Sequence, residues 1–211
     1  MKKLRHVFLL AFLPVTFLFS QITDAANLAD FVLLQNRYGG ITIMEYRGQD
    51  TDVIIPEVIG GIPVTIIGTK AFFHKGLSSV SVPGTVVVIE PLAFAENHLE
   101  TIDISGCVSI GYEAFADNLL NTVTLSGQLS SIGPRAFINN KLSSITISGR
   151  ITNIGKDAFT GNPLAAITVA ANRNLFASQG FEPSFVNYYV GTGRAAGVYV
   201  KNGRIWSLFD E

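Results

Sequence analysis

The stretch Ile110-Gly-Tyr-Glu-Ala-Phe-Ala-Asp-Asn-Leu-Leu-Asn-Thr-Val-Thr-Leu125 decides the fold, because the same pattern stands on both sides of it in phase. Its Ala-Phe pair recurs as Ala71-Phe72, Ala93-Phe94, Ala114-Phe115, Ala136-Phe137 and Ala158-Phe159, with phenylalanine spacings of 22, 21, 22 and 22 residues. Five residues before each phenylalanine stands Ile67, Ile89, Ile110, Ile132 or Ile154. Five residues after it stands Leu77, Leu99, Leu120, Leu142 or Leu164. Two alternating apolar residues then close the unit: Val80 and Val82, Ile102 and Ile104, Val123 and Leu125, Ile145 and Ile147, Ile167 and Val169. One unit reads I-G-x-x-A-F-x-x-N-x-L-x-x-I-x-I. The second unit departs from it with Glu90-Pro91 where Ile-Gly would continue.

Self-similarity at a period in the twenties is the mark of a stacked-coil architecture. The closing L-x-x-I-x-I is a short strand whose period-2 alternation sends its apolar residues to one face. Gly84, Gly106, Gly127 and Gly149 mark a turn after it, and the chain returns through an irregular segment carrying Ile-Gly and Ala-Phe. Twenty-two residues leave no room for a helix of ordinary length. A lone unit buries too little to offset its ordering entropy, so the units must stack and share their cores. The five phenylalanines are expected to form an internal spine. Asn97, Asn118, Asn140 and Asn162 follow them by three residues, and a buried amide there needs backbone partners on adjacent coils.

The residues between the strand apolars must point outward. They form rows: Ser79 and Ser81, Thr101 and Asp103, Thr122 and Thr124, Ser144 and Thr146, Ala166 and Thr168, with a further row at Pro83, Ser105, Ser126, Ser148 and Ala170. This is a nearly uncharged hydroxyl sheet. Six strands at about 4.7–4.9 Å spacing would span about 25–30 Å, wide enough for one standard protein interface.

Outside the repeat, residues 1–25 read as a secretory signal peptide: a basic head through Arg5, an apolar run from Val7 to Phe19, and small residues at Ala25 and Ala26. The run is too short for a membrane span and contains Pro14. No membrane span is expected in the mature chain. At the other end, Phe185-Val-Asn-Tyr-Tyr-Val-Gly191 and Ala196 to Trp206 read as strands, with Asn202-Gly203 as a hairpin turn.

Composition excludes several function classes. Net charge is −1, with 15 Lys and Arg against 16 Asp and Glu, so no basic excess exists to bind nucleic acid. Cys107 is the one cysteine, which excludes an internal disulfide and thiolate metal clusters. His74 and His98 are out of phase with each other, and Glu100 and Asp103 have no repeated counterparts. Arg47-Gly-Gln-Asp50 is not an integrin-binding tripeptide, and no phosphate loop follows a strand. No catalytic residue, metal site or cofactor is expected, and the chain reads as a non-enzyme.

These repeats resemble the bacterial leucine-rich repeats of the treponemal and BspA-like type, built on an L-x-x-L-x-L strand and an I-G-x-x-A-F return. The likeness covers about residues 40–170, and Gly39 to Val64 looks like that family's N-terminal cap. A tail of F-x-x-Y-Y, then A-G-x-Y, then Trp is similar to the C-terminal segment of treponemal repeat proteins. The expected fold is thus mainly β: a leucine-rich-repeat solenoid of about 22-residue units with short strands and irregular returns, capped by a hairpin-containing segment. The expected organisation is signal peptide 1–25, N-terminal cap and partial repeat 26–66, repeats 67–171, and C-terminal aromatic cap 172–211. The resemblance implies an exported, periplasmic, cell-surface or secreted interaction protein, adhesin-like toward host matrix or cell-surface proteins. The partner-binding candidates are Ser79, Ser81, Thr101, Asp103, Thr122, Thr124, Ser144, Thr146 and Thr168, toward a protein or a glycan. Two alternatives stand beside this. Phe176, Phe181, Phe185, Tyr188, Tyr189, Tyr199 and Trp206 could line an apolar ligand pocket, or the chain could self-associate as a structural envelope protein.

Overall fold

The computed structural model describes residues 28–147, 150–170, 180–193 and 196–209. The proposed signal segment, Ser148, Gly149 and Phe176 lie outside them. The chain opens with strands β1 (Phe31–Gln35) and β2 (Ile41–Tyr46), then β3 (Asp52–Ile54), β4 (Val58–Ile59) and β5 (Ile62–Ile67). From there longer and shorter strands alternate: β6 (Ser79–Ser81), β7 (Val88–Ile89), β8 (Thr101–Ile104), β9 (Ser109–Ile110), β10 (Thr122–Leu125), β11 (Ser131–Ile132), β12 (Ser144–Ile147), β13 (Asn153–Ile154) and β14 (Ala166–Val169). Helix α1 (Pro183–Gly191) and the hairpin β15 (Gly197–Asn202) and β16 (Ile205–Phe209) complete it. The architecture is a mainly β, leucine-rich-repeat solenoid of about six turns.

Three ladders join the coils. On the outer face β6 pairs in parallel with β3, β10 with β8, and β14 with β12, so Val53 lies opposite Val80 and Thr124 opposite Asp103. The return segments are more regular than their sequence suggests, because the conserved-phase isoleucines sit in a second parallel ladder, β5-β7-β9-β11-β13. Glycine is required there by crowding: a methyl group built on Gly133 would sit 2.5 Å from the Gly111 carbonyl carbon. Where Glu90 replaces this glycine, its carboxylate instead accepts from the N–H and hydroxyl of Thr69, both at 2.9 Å.

The third ladder runs through the Ala-Phe turns. The residues two before and two after each phenylalanine have positive φ: Lys70 and His74, Leu92 and Glu96, Glu113 and Asp117, Arg135 and Asn139, Asp157 and Gly161. This alternation turns every second N–H group the same way, toward the next coil, while those between bond back within their own turn. Phe72, Phe94, Phe115 and Phe137 each donate to the alanine carbonyl of the following Ala-Phe pair at 2.8 Å. Their rings stack inside with centroids 4.9–5.4 Å apart. Tyr46 extends the spine at one end and Phe181 at the other.

The asparagines lock this stack. Asn118 accepts the Leu99 N–H at 3.1 Å while its amide donates to the Phe94, Phe115 and Ala116 carbonyls. Asn97, Asn140 and Asn162 repeat the arrangement.

The tail corrects the sequence reading. Residues Phe185 to Gly191 are helix, not strand. Pro183 occupies the first turn, where its missing N–H costs nothing, and Phe185 and Tyr189 bury one face at an i, i+4 spacing. A dense aromatic run mimics a strand in composition while its burial follows the helical period. The hairpin is real, but its two-residue loop is Gly203-Arg204, one position later than Asn202-Gly203 implies, with Gly203 at φ 62°. β15 pairs antiparallel with β14, and Tyr188 accepts the Leu208 N–H of β16 at 3.0 Å, so the helix covers part of that last edge. Glu182 ties helix to hairpin, accepting from Lys201 Nζ at 2.6 Å and Trp206 Nε1 at 2.8 Å.

Two tests follow from this packing. Asn118→Leu orphans a buried donor and carbonyls, and is expected to lower unfolding stability by about 2–4 kcal/mol; the exposed Asn121→Ala should change it by less than about 0.5 kcal/mol. Equal losses in urea titrations would refute the ladder's role. For Glu182, burial pushes its carboxyl up, but hydrogen bonds from Lys201, Trp206 and Ser184 together outweigh that and hold it below its usual 4.5. A depressed carboxyl stabilises the fold above that value and loses the contribution as pH falls through its folded pKa. Acid titration of Trp206 emission should therefore show a low-pH transition that Glu182→Gln removes.

Candidate functional site

Alternation in the face strands leaves the expected residues outward. Ser79, Ser81, Thr101, Asp103, Thr122, Thr124, Ser144 and Thr146 are exposed, and Thr168 is half-buried. Their registers place Thr101 beside Thr122, Asp103 beside Thr124, and Thr146 beside Thr168. Some hydroxyls are already engaged: Ser79 donates to Asp52 at 2.6 Å and Thr122 to Asn121 at 3.0 Å. Asp103 accepts the Ser105 N–H at 2.9 Å, which holds the carboxylate on the surface. Ser126 departs from the outward row. It is 1% exposed, its hydroxyl folded back to accept the Gln128 N–H at 3.0 Å.

The face is not a uniform sheet. β6 pairs with β3, β10 with β8 and β12 with β14, but no ladder joins β6 to β8, nor β10 to β12. A groove of about 330 Å³ opens between β10 and β12, walled by Thr122 and Thr124 on one side and Ser144 and Thr146 on the other, with Val123 and Ile145 also lining it. The pattern of hydroxyls predicts the walls; nothing periodic announces the parting of the strands.

The face extends beyond the five full repeats at both ends. Asp52 and Ile54 of β3 add a strand at one end, with Ile54 52% exposed. At the other, the terminal hairpin joins the same sheet as β12 and β14 and presents Val198, Ile205 and Phe209 to solvent, Phe209 lying opposite Val198. The alternation in Gly197–Asn202 is the signal for this: Val198 points out and Tyr199 is fully buried. The face therefore runs from hydroxyl to apolar.

The proposed aromatic pocket residues are brought together, mostly in contact with one another. Phe181, Phe185, Tyr189, Tyr199 and Trp206 are buried, and Tyr188 is half-buried. Phe185 is central, with ring centroids of Phe181, Tyr189, Tyr199 and Trp206 between 5.1 and 5.8 Å away. Phe181 and Trp206 also wall a cleft of about 540 Å³ between the last full coil and helix α1.

Elsewhere the polar groups are structural. Cys107 is fully buried, and burial, with a smaller push from the Asp103 charge, raises its thiol to about 12. His74 Nδ1 lies 3.1 Å from the Glu96 carboxylate on the next coil, an exposed pair, while His98 is exposed and apart from it. Among the described residues no three His, Cys, Asp or Glu side chains converge.

The sequence profile of the BspA type leucine rich repeat region matches residues 62–185 in six copies. No curated protein matches the chain. Among solved structures, a leucine rich repeat protein of T. pallidum is similar, 26% identical over 68% of this chain and 71% of that one, with a TM-score of 0.61. The pneumococcal vaccine antigen PcpA is 19% identical over 67% of this chain and 48% of that one, with a TM-score of 0.52, a likeness of fold alone. This chain thus spans about half of the pneumococcal antigen structure. The matched range takes in Phe181, the residue that the structure places at the end of the spine. With the profile matching residues 62–185, more than half of its length, the chain belongs to the BspA-type leucine-rich-repeat family.

Proposed function

We propose that the protein is an exported, adhesin-like binding module that engages a host matrix or cell-surface protein through its outer strand face and performs no chemistry. The BspA-type family is one of bacterial surface proteins, and leucine-rich-repeat folds are generally non-enzymatic binding scaffolds. The observation that carries the reading is the hydroxyl-walled groove between β10 and β12, set in a face that turns apolar toward Val198, Ile205 and Phe209. Short hydroxyl side chains offer donors and acceptors at small entropy cost. The apolar wing supplies the dehydrated area on which protein interfaces depend for affinity. Eight face strands at about 4.8 Å give a surface about 35 Å long, matching one standard protein partner. A protein partner fits this mixture better than a glycan, because the aliphatic Val198 and Ile205 offer dehydrated area but no hydrogen bonds to sugar hydroxyls.

The test is solid-phase binding of the mature chain to a panel of immobilised host matrix proteins, with protease shaving of intact cells to establish surface display. Thr122→Arg with Ser144→Arg, and separately Phe209→Asp, should each weaken binding tenfold or more, while Lys141→Ala, outside the groove, leaves it unchanged. Undiminished binding by both face variants would refute the assignment. Protection from proteases on intact cells would refute surface display.

A further inference from the structure

Each coil passes a fixed set of hydrogen bonds to the next, and among the described residues the last full coil leaves part of that set unused. In the third coil Glu113, Phe115 and Asp117 donate their N–H groups forward to the Pro134, Ala136 and Ile138 carbonyls at 2.8–3.0 Å. Leu120 N–H then donates to Asn140 Oδ1 at 3.0 Å, and the Phe115 carbonyl accepts from Asn140 Nδ2 at 2.9 Å. The first, second and fourth coils repeat the same scheme.

The fifth coil begins it and stops. Phe159 N–H donates to the Gly180 carbonyl at 2.9 Å and Phe181 stacks on Phe159. Pro183 then starts helix α1, whose Phe185 and Val186 N–H groups take the Glu182 carbonyl that Gly161 would have used. Ser184 stands 22 residues after Asn162, where the next ladder asparagine is due. Among the described residues Gly161 N–H and Leu164 N–H have no acceptor, and the Phe159 carbonyl accepts a side-chain bond from Asn162 alone, at 2.9 Å. All three residues line the 540 Å³ cleft, whose opposite side is Phe181, Pro183 and Trp206. That volume lies within the range of about 300–1,000 Å³ typical of ligand sites.

We infer that this cleft binds a peptide segment of a partner protein through an asparagine side chain, which takes the seat of the missing rung. Its carboxamide oxygen accepts from Leu164 N–H, its amide nitrogen donates to the Phe159 carbonyl, and the main-chain carbonyl two residues earlier accepts from Gly161 N–H. Four asparagines inside the molecule already make the carboxamide contacts. A carboxylate in the same seat lacks the donor for Phe159, and the charged side chains lining the cleft, Lys156, Asp157 and Glu182, sum to a negative charge. A purely apolar ligand would leave the two N–H groups dry and unpaired, which costs affinity. The cleft shares no lining residue with the groove on the strand face, so either reading can fail without the other.

The experiment titrates the full chain with a blocked peptide of sequence Ala-Phe-Ala-Asp-Asn-Leu-Leu, the segment 114–120 that makes this rung internally, and with its Asn118→Asp and Asn118→Leu forms. Backbone amide shifts of Gly161 and Leu164, with emission of Trp206, report occupancy. Saturable binding that shifts both amides, weakened about tenfold or more in either altered peptide, supports the site. Thr160→Trp, on the exposed rim of the cleft, should remove the response while thermal unfolding stays as in the parent protein. Equal binding by all three peptides, binding retained in Thr160→Trp, or no saturation at millimolar peptide overturns the inference.

Discussion

The structure rests on a backbone constraint: a left-handed residue on each side of every Ala-Phe pair. Nine of these positions carry side chains at φ between 51° and 60°, a region that L-residues avoid at a cost of about 1–2 kcal/mol each. The conformation persists because it aims alternate N–H groups of the turn at the carbonyls of the next coil, and in the first four coils each is met there. It also turns the phenylalanines inward at the spacing of the strands. Ring centroids 4.9–5.4 Å apart and strands about 4.7–4.9 Å apart can share a single axial rise. The asparagines, the return isoleucines and the outward hydroxyl rows all take their positions from that rise.

How much of this a sequence can display depends on whether a feature repeats. The spine, the isoleucine column and the asparagine bonds were legible because each needs one residue type at one phase. The left-handed pairs were not: Lys70, His74, Leu92, Glu96, Glu113, Asp117, Arg135, Asn139 and Asp157 share no chemistry. Main-chain bonding holds them there, and main chain leaves no mark in composition. Helix α1 was misread for a related reason. Phe185-Val-Asn-Tyr-Tyr-Val has the residue types of a strand, and only the burial of Phe185 with Tyr189 reveals the longer period.

The surface follows the same division. Alternation correctly turned Thr101, Thr122, Thr124, Ser144 and Thr146 outward. The groove between β10 and β12, the apolar wing on the terminal hairpin and the cleft beside Trp206 all lie where the repetition is interrupted. A regular stack presents much the same surface at every coil, so individuality in such a molecule collects at its breaks. Ser126, turned inward beside the parted strands, is a small example.

The one-way aim of the Ala-Phe ladder has an electrical consequence. Parallel strands point their peptide dipoles alternately and nearly cancel, whereas the Ala-Phe turns all present N–H toward the C-terminal end and C=O toward the other. Their moments add along the solenoid axis as peptide moments add along an α-helix, but with the positive pole at the C-terminal end instead of the N-terminal one. Every coil added to such an array lengthens the dipole without changing a charged residue. Repeat number would then set how strongly the molecule orients a charged partner arriving end-on, a property in which net charge, here −1, has no part.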